Sequence, residues 1–216
     1  RIEGRNFDIR KHVLQYDDVM NQQREVIYGQ RGKVLDGENL KDYILSMIGA
    51  VAQKVVKSTV GDSQYPEDYS WETFKLLMID HFGLVLRLDD EKIKKINPDE
   101  LQRTIIEATH AAYEKKERDF GGESMRELER VVLLQVVDQK WMDHIDAMDQ
   151  LRTGIGLRAY GQHDPVIEYK FEGMDMFDEM IASIKEDTIK LIFHARQSKG
   201  IKREQVAAPL FASHGE

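Results

Sequence analysis

Cysteine is absent from the 216 residues of this sequence, and proline occurs only four times. Without cysteine there is no disulfide, no thiolate zinc ligand and no cysteine nucleophile. The scarcity of proline and of alternating β-branched runs favours long helices over strands. The longest apolar cluster, from Val131 to Val137, is interrupted by Gln135 and is far shorter than the roughly 20 residues of a membrane-spanning helix. We therefore expect an all-α fold without a transmembrane segment.

The sequence also has fewer basic residues than acidic ones. Acidic residues outnumber basic ones by 39 to 31, which leaves a net charge of −8. A nucleic-acid-binding surface needs lysines and arginines that face the phosphates, so we expect no nucleic-acid partner. Residues 1–10 alternate charged residues with isolated apolar ones and do not resemble a signal peptide. Apolar residues nevertheless make up 41% of the sequence, which is enough for a substantial core.

A long first helix is predicted from apolar residues that recur every seven positions. They form one stripe over about 30 residues, which corresponds to a helix roughly 45 Å long. Gly29 and Gly32 each cost about 1 kcal/mol relative to alanine inside a helix, so the last turns are the weakest part of this prediction. The residues of the stripe are Val13, Met20, Ile27 and Val34.

The segment 40–119 contains shorter helical patterns and is predicted to be a small helical domain inserted between longer elements. Ser70 is placed to cap a helix, WETFKLLMIDHF, that Gly83 ends. Asn97 and Glu100 have the spacing of a capping box at the start of another helix.

Two more long helices follow this segment. Apolar residues at three- and four-residue steps predict a helix over Glu123–Gln150, and Asp164 with Pro165 has the pattern that begins another. Because only side-by-side packing buries both apolar stripes, the two helices should form an antiparallel hairpin with a loop of about a dozen residues. The stripe expected on the last helix is Met174, Phe177, Ile181, Ile184, Thr188 and Leu191.

The connecting stretch LRTGIGLRAYGQHDP, residues 151–165, places positive charge and an aromatic ring between glycines. Its charge comes from Arg152 and Arg158, and its ring is Tyr160. A dinucleotide-binding glycine motif needs a strand before it, whereas here a long helix precedes the glycines. The composition of the stretch leaves two interpretations equally open, and the first is a contact site at the apex of the hairpin. The alternative is an ordinary turn in which Leu157 and Tyr160 pack back onto the helix ends.

Motifs for catalysis and for metal binding are missing. The sequence contains no G-x-x-x-x-G-K-[ST] phosphate-binding loop, so we expect no ATP hydrolysis by this segment alone. His144 lies near Asp143 and Asp146 but has no second histidine four residues away, so a solvated or core-edge role is expected. The neighbouring acids Asp17 and Asp18 point in different directions on a helix, which disfavours a catalytic pair.

Three blocks of the sequence closely resemble the C-terminal half of SecA, the ATP-driven motor of bacterial protein export. They are RNFDIRKHVLQYDDVMNQQREVIY, VVDQKWMDHIDAMDQLRTGIGLRAYGQHDP and EYKFEGMDMFDEMI. The resemblance covers most of residues 5–196 and is weakest over 40–119. It implies a helical scaffold domain in two parts, 1–39 and 120–199, around a helical wing domain, with a flexible C-terminal linker at 200–216. The second scaffold part would contain a two-helix finger.

The resemblance also implies a role for the apex. In the family, the finger reaches the cytosolic mouth of the SecY channel and a tyrosine at its tip contacts the translocating polypeptide; Tyr160 occupies that position here. Leu157 and Arg158 are then expected to contact the preprotein, and Arg152 and His163 to face the channel. The implied partners are the SecYEG channel, an unfolded preprotein, the nucleotide-binding domains of a full-length chain and a second copy in a homodimer. The implied location is cytoplasmic and peripheral, on the inner face of the plasma membrane.

ATP, magnesium and zinc are implied only for other parts of a full-length family member. No cofactor is expected in residues 1–216, which should be inactive on their own. The alternative interpretation is a non-enzymatic, coiled-coil-like interaction module whose seven-residue stripe pairs with an identical helix.

Overall fold

Every regular element in the described part of the chain is helical, which confirms the all-α prediction. The computed structural model describes residues 2–36, 40–63, 65–158 and 164–196. A short 3-10 turn at Pro66–Asp68 separates the second and third helices. The helices are α1 (Ile2–Asp36), α2 (Leu40–Val60), α3 (Trp71–Phe82), α4 (Asp90–Ile93), α5 (Pro98–Phe120), α6 (Gly122–Arg158) and α7 (Pro165–His194).

Local sequence explains several helix ends. Asn97 Oδ1 accepts a hydrogen bond from the Glu100 backbone N–H at 2.9 Å, and the Glu100 carboxylate accepts one from the Asn97 N–H, which is the predicted capping box. Asp164 Oδ1 accepts from the Val166 N–H at 2.8 Å at the start of α7. These predicted helix starts are confirmed.

The sequence predicts the end of α3 correctly, but it does not predict the hydrogen bonding at its start. Gly83 ends the helix in the left-handed region, with φ of 61°, as predicted. Ser70 occupies the position before the helix, but its side chain makes no hydrogen bond to the backbone of the first turn. Its hydroxyl instead pairs with the Thr73 hydroxyl at 2.7 Å. The expected cap is therefore wrong in its bonding, although the helix begins where it was placed.

Helices α6 and α7 form the predicted antiparallel pair. Lys140 on α6 pairs with Asp187 on α7 at 2.7 Å, and further along α6 the side chain of Met148 lies against Gly173. As residue numbers increase along α6, the residues that it contacts on α7 have decreasing numbers, so the two helices are antiparallel. At 1.5 Å per residue, the 37 residues of α6 extend over roughly 55 Å.

Helix α1 lies along this pair as a third long rod. Arg31 Nε is 3.1 Å from a carboxylate oxygen of Asp138, and Arg152 lies 3.9 Å from Asp17 nearer the start of α1. These contacts make α1 antiparallel to α6 and therefore parallel to α7. The pair is thus supported by α1 almost to the loop between α6 and α7, rather than standing free of its neighbours.

The shorter helices share one core with the long ones. Helices α2, α3 and α5 pack on one another and on α6 and α7, and a single buried cluster runs from Ile27 to Ile192. Lys116 on α5 donates hydrogen bonds to the carbonyls of Phe193 and Ala195, at 2.8 and 2.6 Å, and so caps the end of α7. The domain boundaries expected at 39/40 and 119/120 stay a prediction.

The apolar stripe expected on α7 is wrong at its two ends. Met174 is 64% exposed and Leu191 is 46% exposed, whereas Ile184 and Thr188 are buried as predicted. The actual buried face includes a glycine and a tyrosine, which a search for aliphatic residues passes over. Its members are Val166, Tyr169, Gly173, Met180, Ile184, Thr188, Ile189 and Ile192.

The loop between α6 and α7 is shorter than predicted. Helix α6 continues to Arg158, so residues 151–158 are helical despite Gly154 and Gly156. Each glycine weakens a helix by about 1 kcal/mol, but Ile155 between them is only 1% exposed. Burial of that side chain offsets the backbone penalty. Helix α1 likewise passes Gly29 and Gly32 because Ile27 and Val34 on either side are buried.

We predict opposite effects of alanine at two glycines of the 216-residue chain. Gly83→Ala should lower the free energy of unfolding by about 1 kcal/mol, because alanine resists a φ of 61°. Gly49→Ala, in the middle of α2, should raise it by up to about 1 kcal/mol, because a Cβ there meets no atom within 4 Å. Urea unfolding measures both variants, and a destabilising Gly49→Ala would contradict the helix assignment.

Candidate functional site at the end of the helical pair

The apex predicted from residues 151–165 lies where α6 ends and α7 begins. Leu157 and Arg158 belong to the last turn of α6, but their side-chain contacts lie outside what the structure describes. Tyr160 and His163 also lie outside the described residues. The predicted roles of these four residues therefore stay predictions.

Arg152 is the one predicted site residue whose surroundings the structure describes. Its guanidinium lies 3.9 Å from Asp17 on α1 and 3.8 Å from Asp149 one turn earlier on α6, and about half of its side chain is exposed. Ion pairs as exposed as this one contribute at most about 1 kcal/mol. The geometry gives Arg152 an intramolecular partner, and its predicted contact with a channel stays a prediction.

A cluster of aromatic and aliphatic side chains packs the three long helices together next to the apex. The rings of Tyr16 on α1 and Tyr169 on α7 meet edge to face, with centroids 4.7 Å apart. Tyr169 is buried together with Met148 and Ile155 of α6, so all three long helices contribute to this cluster. Burial raises the pKa of Tyr169, which keeps its hydroxyl neutral. Helix α6 is therefore packed to within one turn of its end.

A buried polar junction joins the same three helices farther from the apex than this cluster. His144 Nε2 lies 2.8 Å from Gln23 Oε1, and Gln23 Nε2 donates to the carbonyl of Gly173 at 2.9 Å. The imidazole is buried, with the rings of Trp141 and Phe177 each 5.7 Å from it. Burial lowers the pKa of His144, so the ring is neutral at neutral pH. One glutamine thus bonds to both helices of the pair.

The sequence reasoning missed this junction. It assigned His144 a solvated or core-edge role, whereas the structure buries the side chain and bonds it to Gln23. Spacing supplied one signal: Gln23 lies four residues before Ile27 and three after Met20, on the apolar face of α1. A polar residue on such a face needs a hydrogen-bonding partner when it is buried.

Gly173 marks the closest approach of the helices at this junction. A Cβ built on it would lie 2.7 Å from the terminal methyl of Met148 on α6 and 4.0 Å from Val19 on α1. The missing side chain lets α7 approach the other two helices, which brings its carbonyl within reach of Gln23.

A second buried polar network lies near the start of α6, at the end opposite the apex. The carboxylate of Glu129 has no exposed surface; it accepts a hydrogen bond from the Tyr113 hydroxyl and lies 3.0 Å from Arg126. Arg126 also pairs with Glu117 at 2.9 Å, and Glu117 pairs with Lys41 at 2.6 Å. Burial raises the pKa of Glu129, while Arg126 opposes that shift. The network connects α2 and α5 to α6.

Exposed apolar side chains line the outer face of α7 near the apex. Ile167, Phe171 and Met174 follow one another at helical spacing and are all more than half exposed. Met174 also lines a shallow groove with Val26 of α1, flanked by Lys170. Exposed apolar residues concentrated on one face of a protein indicate a contact surface.

None of the helices in the described ranges has the length and hydropathy that crossing a bilayer requires.

Comparison with known proteins identifies relatives over the whole chain. The family described as SecA Wing and Scaffold domain matches residues 1–196. The chain is 51% identical over 216 residues to Protein translocase subunit SecA 1 of Alkaliphilus metalliredigens, covering 100% of this chain and 24% of that protein. It is 53% identical over 195 residues to Protein translocase subunit SecA of Pelotomaculum thermopropionicum, covering 89% and 22%. The chain therefore spans about a quarter of the length of these relatives.

We predict that acidification destabilises this chain through its buried histidines. Burial lowers the pKa of both His144 and His81 in the folded state, so below the unfolded value of about 6.5 the unfolded chain binds more protons. Stability is then fully present above that pH and decreases as the pH falls below it. His144→Gln, which keeps a donor toward Gln23, should reduce the slope of unfolding free energy between pH 7 and 5 by up to about 1.4 kcal/mol per pH unit.

Urea unfolding at several pH values measures this slope. The double variant His81→Gln/His144→Gln should flatten the profile further than either single change. A slope that is the same in the wild type and in His144→Gln would contradict the assignment, whereas a uniform offset at all pH values would not bear on it.

Proposed function

Because the chain belongs to the SecA family through its wing and scaffold region, we propose that it is the mechanical segment of an ATP-driven preprotein translocase. Helix α1 receives motion from nucleotide-binding domains elsewhere in the full-length protein. The pair α6 and α7, as the two-helix finger, passes that motion to a preprotein at the SecYEG channel. The proposed location is the cytoplasm, peripherally on the inner face of the plasma membrane.

The observation that carries this proposal is the packing of three long helices along one another up to the apex. The contacts of Asp17 with Arg152 and of Tyr16 with Tyr169 hold α1 against both helices of the pair near the apex. Close-packed helices transmit displacement with little compression. A displacement of α1 therefore moves the end of α6 through direct helix contacts and not through a flexible loop.

The proposed substrate is an unfolded polypeptide of variable sequence. A site that touches many sequences cannot depend on specific hydrogen bonds, so apolar and aromatic surface suits it best. Tyr160 supplies a broad ring and a hydroxyl with few rotatable bonds, and Leu157 and Arg158 are proposed to flank it. The exposed side chains of Phe171 and Met174 support the proposal, because they extend apolar surface from the apex along α7.

Two further residues are proposed to face the channel, Arg152 and His163. For Arg152 this requires its guanidinium to contact a channel group while it stays paired with Asp17, and about half of its side chain is exposed for such a contact. ATP, magnesium and zinc are proposed to bind elsewhere in the full-length protein. We expect residues 1–216 alone to bind none of them and to hydrolyse no ATP.

Burial of the seven-residue stripe of α1 argues against the alternative of a self-pairing interaction module. Ile27 and Val34 are buried within this chain, and Met20 is partly buried, so they have no free surface for a second copy. Among the four residues of the stripe, Val13 is the exposed one. A homodimer of the full-length protein remains part of the proposal, formed through another surface.

We predict that Tyr160→Gly in the full-length subunit lowers preprotein translocation at least several-fold, because the apex then lacks the ring that contacts the chain. Tyr160→Phe, which keeps the ring, should retain most of the activity and serves as the matched control. Translocation into SecYEG vesicles and ATP hydrolysis are measured together. Unchanged translocation in Tyr160→Gly with normal ATP hydrolysis would refute the proposed role of the apex.

A photo-cross-linker at position 160 gives an independent measurement. It should form adducts with a secretory chain held in transit, whereas the same group at the exposed position Tyr28 of α1 should not. Equal cross-linking from the two positions would contradict a specific contact at the apex.

A further inference from the structure

The aliphatic side chains of α1 do not by themselves choose one register against α6 and α7. Its stripe repeats every seven residues, so sliding α1 by seven residues, about 10 Å, replaces one aliphatic residue by another. Met20 would take the place of Ile27 in one direction, and Val34 would take it in the other. A single register must therefore be selected by residues outside the repeat.

The polar junction excludes one of the two slipped registers. Because Gln23 Nε2 donates to Gly173, its Oε1 must accept, so His144 donates from Nε2. Sliding α1 by seven residues places either Tyr16 or Gln30 at this point. A tyrosine ring is too large for a site where the helices approach this closely, but Gln30 could form both hydrogen bonds again.

The ion pair of Arg152 excludes the register that Gln30 permits. Asp17 faces Arg152 in the structure, and the residues seven positions before and after Asp17 are Arg10 and Arg24. Either slip would therefore place an arginine against Arg152 and replace attraction by repulsion. Within the described part of the chain, Arg24 donates a hydrogen bond to Asn21 of the same helix, and this local contact does not hold it away from Arg152 after a slip.

We propose that Arg152 and Gln23 are positioning residues that hold α1 in one register with the helical pair, so that α1 and the apex move as one body. The proposal rests on the proposed function, in which α1 drives the pair. Asp17 is the selective partner of Arg152, and His144 with Gly173 completes the junction. The charge pair distinguishes registers that the aliphatic stripe and the glutamines leave nearly equivalent, and it acts together with the contact of Tyr16 with Tyr169, which a slip would break.

Distance measurement by electron spin resonance tests the register in the full-length subunit, with native cysteines elsewhere replaced. Spin labels are attached at Glu25 of α1 and Glu123 at the start of α6, both exposed. The wild type should show one distance. Arg152→Glu should add a second population about 10 Å longer, because the new carboxylate is repelled by Asp17 and attracted by Arg24 after a slip of seven residues.

The double variant Arg152→Glu/Arg24→Glu is the matched control. It keeps the charge reversal at Arg152 but makes the slipped register as repulsive as the native one. The ring contact of Tyr16 with Tyr169, which only the native register has, then decides, and the single wild-type distance should return. Arg152→Glu should also lower the amount of preprotein moved per ATP hydrolysed, and the double variant should restore it. A general loss of stability would lower both variants alike.

The outcomes separate this proposal from the proposed function. A single unchanged distance in Arg152→Glu overturns the register proposal, whatever the result for Tyr160. A second distance without a change in preprotein moved per ATP overturns the claim that the register serves transmission. A second distance together with an unaffected Tyr160→Gly variant supports register selection and refutes only the proposed role of the apex.

Discussion

Burial of three apolar helix faces against one another is the constraint on which the rest of this structure depends. Helices α1, α6 and α7 are each too long and too narrow to hide an apolar face alone, so each completes the core of the other two. The shorter helices α2, α3 and α5 close the same core at one end. Toward the other end a smaller cluster, with Met148, Ile155 and Tyr169 at its centre and Tyr16 packed against them, joins the three long helices.

Polar groups at two points give this apolar assembly its specificity. In the middle part of α6, Gln23 joins His144 to the backbone of Gly173; near the start of α6, Glu129 receives hydrogen bonds from Tyr113 and Arg126. A buried group of this kind is costly if its partner is lost, so each network favours one alignment over those that aliphatic packing would tolerate. Helix α6 is therefore held by one polar network near its start and by a second in its middle part, and the second is shared with α1 and α7.

Local features were predictable where a few adjacent residues decide the outcome. The capping box at Asn97, the cap at Asp164 and the left-handed turn at Gly83 all follow from side chains within four positions. Predictions failed where distant residues decide. Gly154 lies in a helix because Ile155 is buried by another helix, and Met174 is exposed because the rotation of α7 is set by Gly173 against Met148. The prediction that Tyr160 lies at the apex rests on the family resemblance and not on packing, and it stays a prediction.

The sequence by itself determined the helical class, most helix ends and membership of the SecA family, because these depend on composition, short-range hydrogen bonds and long matching blocks of residues. Only the tertiary structure decided that α1 lies against the pair α6 and α7, that Gln23 meets His144 and that Arg152 faces Asp17. Those contacts join residues more than a hundred positions apart. A periodic stripe states which face of a helix is buried but not which helix covers it, nor in which of several equivalent registers.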